Sequence, residues 1–267
     1  MWACGEDSPC GLVSTVRTVK PPLVIAVVVG AVALSCARKA PTSLPSQADI
    51  PTLQPVAAVD ISPAIREASG ICYDKRTGLF LVVSDDRPEI FVVDPSGRVT
   101  AAIATPCTDL EGIALSSGGD TLFVVEERAQ LVVALSREGF PLFTMPVRVA
   151  TAANHALEGI AQDGLGNLFI INEKDPRLLL YYRGSSEVSR AEIRAFADLS
   201  DICYDAEEHC LWLISDESLK IGKFTTEGVL LREWFIPFSK GEGIAVVGST
   251  IYVVRDGESK LYLFEKP

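Results

Sequence analysis

The chain has 267 residues, 48% of them hydrophobic and 22% charged, with a formal net charge of −11. This is an ordinary globular composition, enough for one large domain or two small ones. The acidic balance lacks the clustered Lys/Arg footprint that phosphate binding requires, so no nucleic-acid partner is expected. It suits a cation partner or a solvated acidic surface.

The first informative segment is Leu23–Leu34, LVIAVVVGAVAL, an apolar run of 12 residues preceded by Arg17 and Lys20 and followed by Ser35-Cys36. A bilayer-spanning helix needs about 20 apolar residues, so the run reads as a signal-peptide core. The small residue before Cys36 resembles the cleavage site of bacterial lipoprotein signals, in which the cysteine is lipidated. Ala33 and Leu34 depart from the usual pattern there, and a plain signal peptide or an uncleaved anchor helix stays open. Residues 1–16 carry two acids and two cysteines, unlike a signal n-region, and place the expected start codon downstream of Met1. Residues 1–36 are thus expected to export the chain. A lipid on Cys36 would hold it to a membrane, in the cell envelope, facing the periplasm or exterior. Residues 37–53, rich in Pro, Ser and Thr, read as a flexible linker.

From residue 54 onward the sequence repeats. The phrases beginning EASGICYD, DLEGIALS, ALEGIAQD, LSDICYD and KGEGIAVV align at Ser69, Glu111, Glu158, Ser200 and Glu242, with spacings of 42, 47, 42 and 42 residues. Each copy begins with a short strand and a polar turn, and a β-branched run follows (LFLVV, LFVV, LFII, LWLI, IYVV). A third strand comes next (EIFVVD, QLVVALS, RLLLYY, LKIGKF, KLYLFEK). Four copies then have a fourth stretch (VTAAIAT, PLFTMPV, AEIRAF, LLREWFI). Four strands per 40-odd residues without helical periodicity predict an all-β fold, a five-bladed β-propeller with four-stranded blades. The fifth copy ends with the chain, and QPVAAVDIS at 54–62 is a spare strand. The expectation is a ring over residues 54–267 closed by this N-terminal strand. Cys72 and Cys203 align with Ala114, Ala161 and Ala245, positions where small residues let blades pack, although a Cys203–Cys210 bond across a hairpin is also open.

Two sets of polar residues recur in register. The anchors are Glu111, Glu158, Glu242, Ser69 and Ser200. A second acidic set, Asp85, Glu127, Glu173, Asp216 and Asp256, closes the second strand of each copy. Both sets fall at the same end of an antiparallel pair and should gather on one face around the channel. Two like charges ~6 Å apart at an effective dielectric of ~20 repel by about 3 kcal/mol. Three such pairs would consume much of a typical stability of about 5–15 kcal/mol. Either a cation sits among them, basic neighbours such as Arg255 compensate, or the side chains diverge. Oxygen-only ligands favour Ca²⁺ over Mg²⁺, with the anchors as the metal set. Acids also end strands in turns and accept backbone N–H groups, and the second set reads as the more structural of the two. No catalytic residue can be assigned. His155, Asp163 and the anchor glutamates are weak base candidates, and Ser elbows, phosphate loops and paired His ligands are missing from the sequence.

The phrases ALEGIAQDGLGNLFIINE and GEGIAVVGSTIYVVRDGESKLYLFEKP resemble the SdiA-regulated (YjiK-like) family over roughly residues 55–267. The resemblance implies a bacterial envelope protein, a five-bladed propeller with calcium, and Glu111, Glu158 and Glu242 as the cation-facing set. It assigns no activity. Ser69 and Ser200 depart from the glutamate pattern, and Arg255-Asp256 replaces the usual Ser-Glu ending. The expected function is a Ca²⁺-associated binding or scaffold module with an unknown protein or small-molecule ligand. The alternative is a metal-dependent hydrolase of the lactonase or phosphoesterase type.

Overall fold

The computed structural model describes residues 49–152 and 154–267. The expected signal segment with Cys36, and residues 37–48 of the expected linker, lie outside them. The described residues form twenty strands in five four-stranded antiparallel sheets. Blade one comprises β2 (Ala68–Asp74), β3 (Leu79–Ser84), β4 (Arg87–Val93) and β5 (Val99–Ala104). Blade two comprises β6 (Leu110–Leu115), β7 (Thr121–Glu126), β8 (Leu131–Ser136) and β9 (Pro141–Pro146). Blade three comprises β10 (Leu157–Gln162), β11 (Leu168–Asn172), β12 (Leu178–Arg183) and β13 (Ser186–Glu192). Blade four comprises β14 (Asp201–Asp205), β15 (Cys210–Ser215), β16 (Lys220–Phe224) and β17 (Leu230–Phe235). In blade five β18 (Gly241–Val247), β19 (Thr250–Arg255) and β20 (Lys260–Glu265) are joined by β1 (Ala57–Asp60).

The ring therefore closes as the spare strand predicts. β1 runs antiparallel to β20, with Ala57 opposite Leu263 and Asp60 opposite Lys260. Closure ties the two ends of the domain into one sheet and leaves no blade lacking its outer strand. Residues 51–53, at the end of the expected linker, run beside β17, where Leu53 N–H donates to Phe235 C=O and Phe235 N–H to Pro51 C=O. The fourth strand of blade three lies earlier than AEIRAF predicts. β13 is polar and exposed along nearly its whole length because an outer strand faces solvent, which erases any apolar alternation. The apolar residues Ile193 and Phe196 belong instead to the crossover, where each is 1% exposed.

The core is divided into five clusters, one between each pair of adjacent blades. Each contains the small residue of one inner strand and the isoleucine of the next. The pairs are Cys72 with Ile113, Ala114 with Ile160, Ala161 with Ile202, Cys203 with Ile244 and Ala245 with Ile71. The equivalence of Cys and Ala is thus a packing equivalence, and Cys203 and Cys210 are both free thiols. Ring contacts extend this packing, as in Phe80 tilted against Tyr252 with centroids 4.7 Å apart between blades one and five.

Near the axis the inner strands approach so closely that side chains are excluded. Gly70, Gly112, Gly159 and Gly243 occupy equivalent positions. A Cβ on Gly159 would lie 2.7 Å from the Ile202 nitrogen and 2.8 Å from the Asp201 Cα. The fifth position is Asp201, 1% exposed. Its Oδ2 accepts the N–H of Ile244 at 2.9 Å, and the N–H groups of Ile202 and Ile71 also point at its carboxylate. One side chain thus joins blades one, four and five across the axis.

Replacing Gly159 by Ala is expected to cost about 1–3 kcal/mol, because the atoms it meets are mostly backbone and cannot yield cheaply. Gly164→Ala, with nothing within 4 Å of the added carbon, is the control. The urea midpoint at unchanged m-value checks both.

Candidate metal centre

The anchors owe their placement to a repeated irregularity. Pairing of the inner strand with its neighbour slips between Ala68 and Gly70, Leu110 and Gly112, Leu157 and Ile160, and Gly241 and Gly243. A bulge leaves its extra residue unpaired and re-aims that side chain. Ser69, Glu111, Glu158 and Glu242 fall within these bulges, at the start of the inner strand. Blade four has none, and its pairing runs unbroken from Asp201 opposite Ile214.

The crossover loops that deliver the anchors are latched from the end of the second strand. Ser84 donates to the Arg66 carbonyl at 2.6 Å, Asn172 to the His155 carbonyl at 3.1 Å and Arg255 Nε to the Ser239 carbonyl at 2.9 Å. Glu126 accepts the Thr108 N–H at 2.8 Å. In all four the latched residue lies three positions before the anchor. Blade four substitutes a side-chain pair, the Ser215 hydroxyl donating to buried Asp198. The residues preceding the second acidic set are therefore loop fasteners. Arg255, with its guanidinium over Phe238 and paired with Glu258, is directed away from the anchors.

The acids themselves separate into two environments. At the rim, cations meet them: Arg128 pairs with Asp109 at 2.8 Å, Lys174 with Glu173 and Glu217 at 2.9 Å, and Lys240 Nζ with Asp256 at 2.5 Å. Asp216 accepts the Lys240 backbone N–H. Inside the rim no ion pair reaches Asp85, Glu111, Glu158 or Glu242 among the described residues. Carboxylate oxygens of Asp109, Glu111 and Glu127 lie within 4.8 Å of one another, and so do those of Glu127, Glu158 and Glu173. Glu127, 5% exposed, belongs to both groups and also accepts the Ala156 N–H at 3.1 Å. On the other side a cavity of about 210 Å³ is lined by Glu67, Ser69, Asp85, Glu111, Glu242 and Asp256.

Burial and mutual repulsion push these carboxyls upward. Glu111 rises to about 8 through burial and then Asp85, Glu127 and Asp109. Glu242 rises to about 7 through burial and then Asp216, Asp198 and Asp256. Asp85 rises to about 6 through burial, Glu67 and Asp86. Glu158 rises well above the carboxylate range through burial and then Glu111, Glu173 and Glu127. An all-oxygen donor set of this kind, with cations only at its edges on Asp109 and Glu173 and none on Glu111 or Glu158, fits a hard divalent ion.

The five anchors do not act alike. Ser69 donates to the Leu110 carbonyl of the next blade at 2.5 Å, and Ser200 accepts the Asp216 N–H at 3.2 Å. Both hydroxyls are committed to the protein. Glu111 and Glu158 converge with Glu127 and Glu173 of the second set. Two residues escaped the sequence reading, Asp109 and Asp201. Asp201 stands where the other copies have glycine, and that substitution was the available signal. Among the base candidates, His155 Nδ1 lies 3.3 Å from Asp175 at the rim. Asp163 follows the far end of β10 and caps its own turn through the Leu165 and Asn167 N–H groups. It cannot serve the mouth.

These carboxyls keep protons in the folded chain where the unfolded chain has released them, so the folded state binds more protons and stability falls as pH rises. For the metal-free protein the melting temperature should drop between about pH 5 and pH 8, the interval ending at the raised values of Asp85, Glu242 and Glu111. Glu111→Gln should flatten that slope, as read by thermal denaturation across the pH series.

Several solved structures share the ring. Myxococcus xanthus glutaminyl cyclase matches with a TM-score of 0.64 at 11% identity, covering 80% of this chain and 96% of that one. Streptogramin B lyase gives 0.51 at 16%, covering 79% and 72%. Virginiamycin B lyase from Staphylococcus aureus gives 0.49 at 18%; 74% of this chain is covered, and the match spans 66% of that one. For the first two the likeness, at such identities, is one of fold. No curated protein matches the chain. Residues 53–197 match the family model described as SdiA-regulated, and with more than half the chain inside that match, the protein belongs to the SdiA-regulated family.

Proposed function

We propose that this protein is an exported, membrane-anchored β-propeller of the bacterial cell envelope that takes up Ca²⁺ in its acidic mouth and works as a binding or scaffold module. The observation that carries the reading is the pair of carboxylate trios sharing Glu127, whose oxygens lie within 4.8 Å with Glu111 and Glu158 uncompensated. Glu111, Glu127, Glu158 and Glu173 would hold the ion, with Asp109 beside them. The bound ion would neutralise the repulsion and fasten blade two to blade three. Glu242 and Asp85 would remain around the adjoining cavity, able to meet a ligand. The export and anchoring parts of the proposal rest on Leu23–Leu34 and Ser35-Cys36.

A metal-dependent hydrolase is the rival. The enzymes among its structural neighbours support only the ring, since one fold hosts many chemistries. An enzyme would need a base beside the ion, and the imidazole nearest the mouth faces Asp175. The geometry therefore favours the binding module.

Calcium titration of the metal-free protein should raise its melting temperature, as any ligand of the native state does. Glu158→Gln should abolish that shift, and a wild-type protein unmoved by calcium would remove the metal from the proposal. Turnover of a lactone or phosphate ester in the same samples would overturn the module reading. In cells, Cys36→Ser should move the protein from the membrane fraction to the soluble one, and unchanged fractionation would refute the lipid anchor.

A further inference from the structure

The opposite end of the channel holds a second cavity, of about 350 Å³, to which every blade contributes. Its wall consists of consecutive inner-strand residues. Ile71, Ile113, Ile160 and Ile202 lie deepest, followed by the small ring of Cys72, Ala114, Ala161, Cys203 and Ala245. Tyr73, Leu115, Gln162, Tyr204 and Val246 stand nearer the opening. One residue beyond the isoleucines, Asp201 crosses the axis, so this chamber ends below the acidic mouth. The small residues that let blades approach also leave the centre unfilled. The volume accommodates about ten heavy atoms, at the low end of small-molecule sites.

The opening is electrostatically uneven. Asp205 and Glu207 line it, but Lys266 Nζ lies 2.9 Å from Asp205, 3.1 Å from Glu208 and 4.0 Å from Glu207. Asp74, next to Tyr73, is paired with Arg137. Lys75 lines the same opening, is exposed, and has no hydrogen bond or ion pair among the described residues. Gln162 accepts the Ser117 N–H through Oε1 at 2.8 Å, which leaves its Nε2 as a second donor on the wall. Asp205 and Asp74 are thus each held by a protein cation, and Lys75 is the lining cation that has no partner among the described residues.

We propose that this chamber is a binding site for a small amphipathic anion, its apolar tail between Cys72 and Cys203 and its carboxylate-type head at Lys75. The site is separate from the acidic mouth, takes ligand from the other face of the ring and does not require calcium.

Octanoate is a suitable probe, with octylamine as the control of equal length and opposite head charge. Calorimetry on the full-length protein should show one saturable octanoate site and no octylamine binding. Octanoate should also protect Cys72 and Cys203 from a small neutral thiosulfonate reagent, read by peptide mass. Lys75→Glu, on an exposed side chain, should weaken octanoate by about tenfold or more. Ala206→Trp, at the exposed opening, should abolish binding without touching a blade interface. Octanoate affinity should be the same in calcium and in chelator, and a calcium requirement would overturn the separateness of the two sites. Octanoate that does not saturate, or binding that survives Ala206→Trp, would overturn the chamber as the site. Equal binding of octylamine, or an unaffected Lys75→Glu, would overturn the assigned head group.

Discussion

The close approach of five inner strands around the axis is the constraint from which the rest of the structure follows. At the level of Gly70, Gly112, Gly159 and Gly243 the backbones leave no room for a Cβ on the side facing the next blade. That proximity lets the isoleucine of each blade reach the small residue of the blade before it, which creates the five interblade clusters. It also requires the bulge, because a regular strand could not turn the anchor toward the mouth while presenting glycine to its neighbour. Substituting bulk at the ring would push blades apart and unpack two clusters at once.

Blade four departs from this scheme, and its departures are mutually consistent. It lacks the bulge, carries Ser200 in place of glutamate, and carries Asp201 in place of glycine. With no bulge, the Asp201 side chain lies across the axis rather than beside it, and its carboxylate accepts the Ile244 N–H of the next blade with the N–H groups of Ile71 and Ile202 turned toward it. A carboxyl buried this deeply is held well above its ordinary pKa, with burial as the largest cause. The same blade fastens its crossover loop through Asp198 instead of a backbone group. The loss of symmetry thus divides the channel into a mouth above Asp201 and a chamber below it.

Repetition itself creates the electrostatic problem at the mouth. A five-fold copy of an acidic strand end necessarily brings its copies together, and burial removes the water that would screen them. The chain answers in layers. Lys174, Lys240 and Arg128 neutralise the rim, backbone N–H groups take part of the load at Glu127 and Asp216, and the innermost glutamates retain protons. At the opposite end Lys266 and Arg137 pair with the buried Asp205 and Asp74, so the two openings have different electrostatic characters.

Much of the architecture was legible in the sequence, because each blade is specified locally. Alternating β-branched runs, turn glycines and a 42-residue period state the strand count, and the unpaired strand at 54–62 states the closure. The equivalence of Cys72 and Cys203 with alanine likewise foretold packing over disulfide bonding. The outer strand of blade three was not legible, since a solvent-facing strand carries no apolar alternation. The site was legible as two lists of residues on one face, but not as a constellation. Which members meet depends on bulges, on loop latches and on how far each blade is rotated against the next. Those are interblade distances, which no local pattern records. The tertiary structure alone decided that Glu127 joins two carboxylate groups, that Ser69 and Ser200 are occupied by the protein, and that Asp201 divides the channel. Ser69 and Asp201 bond partners in neighbouring blades, 41 and 43 residues away, and Glu127 meets Glu158 across the next blade boundary, so these decisions depend on how the blades are set against one another.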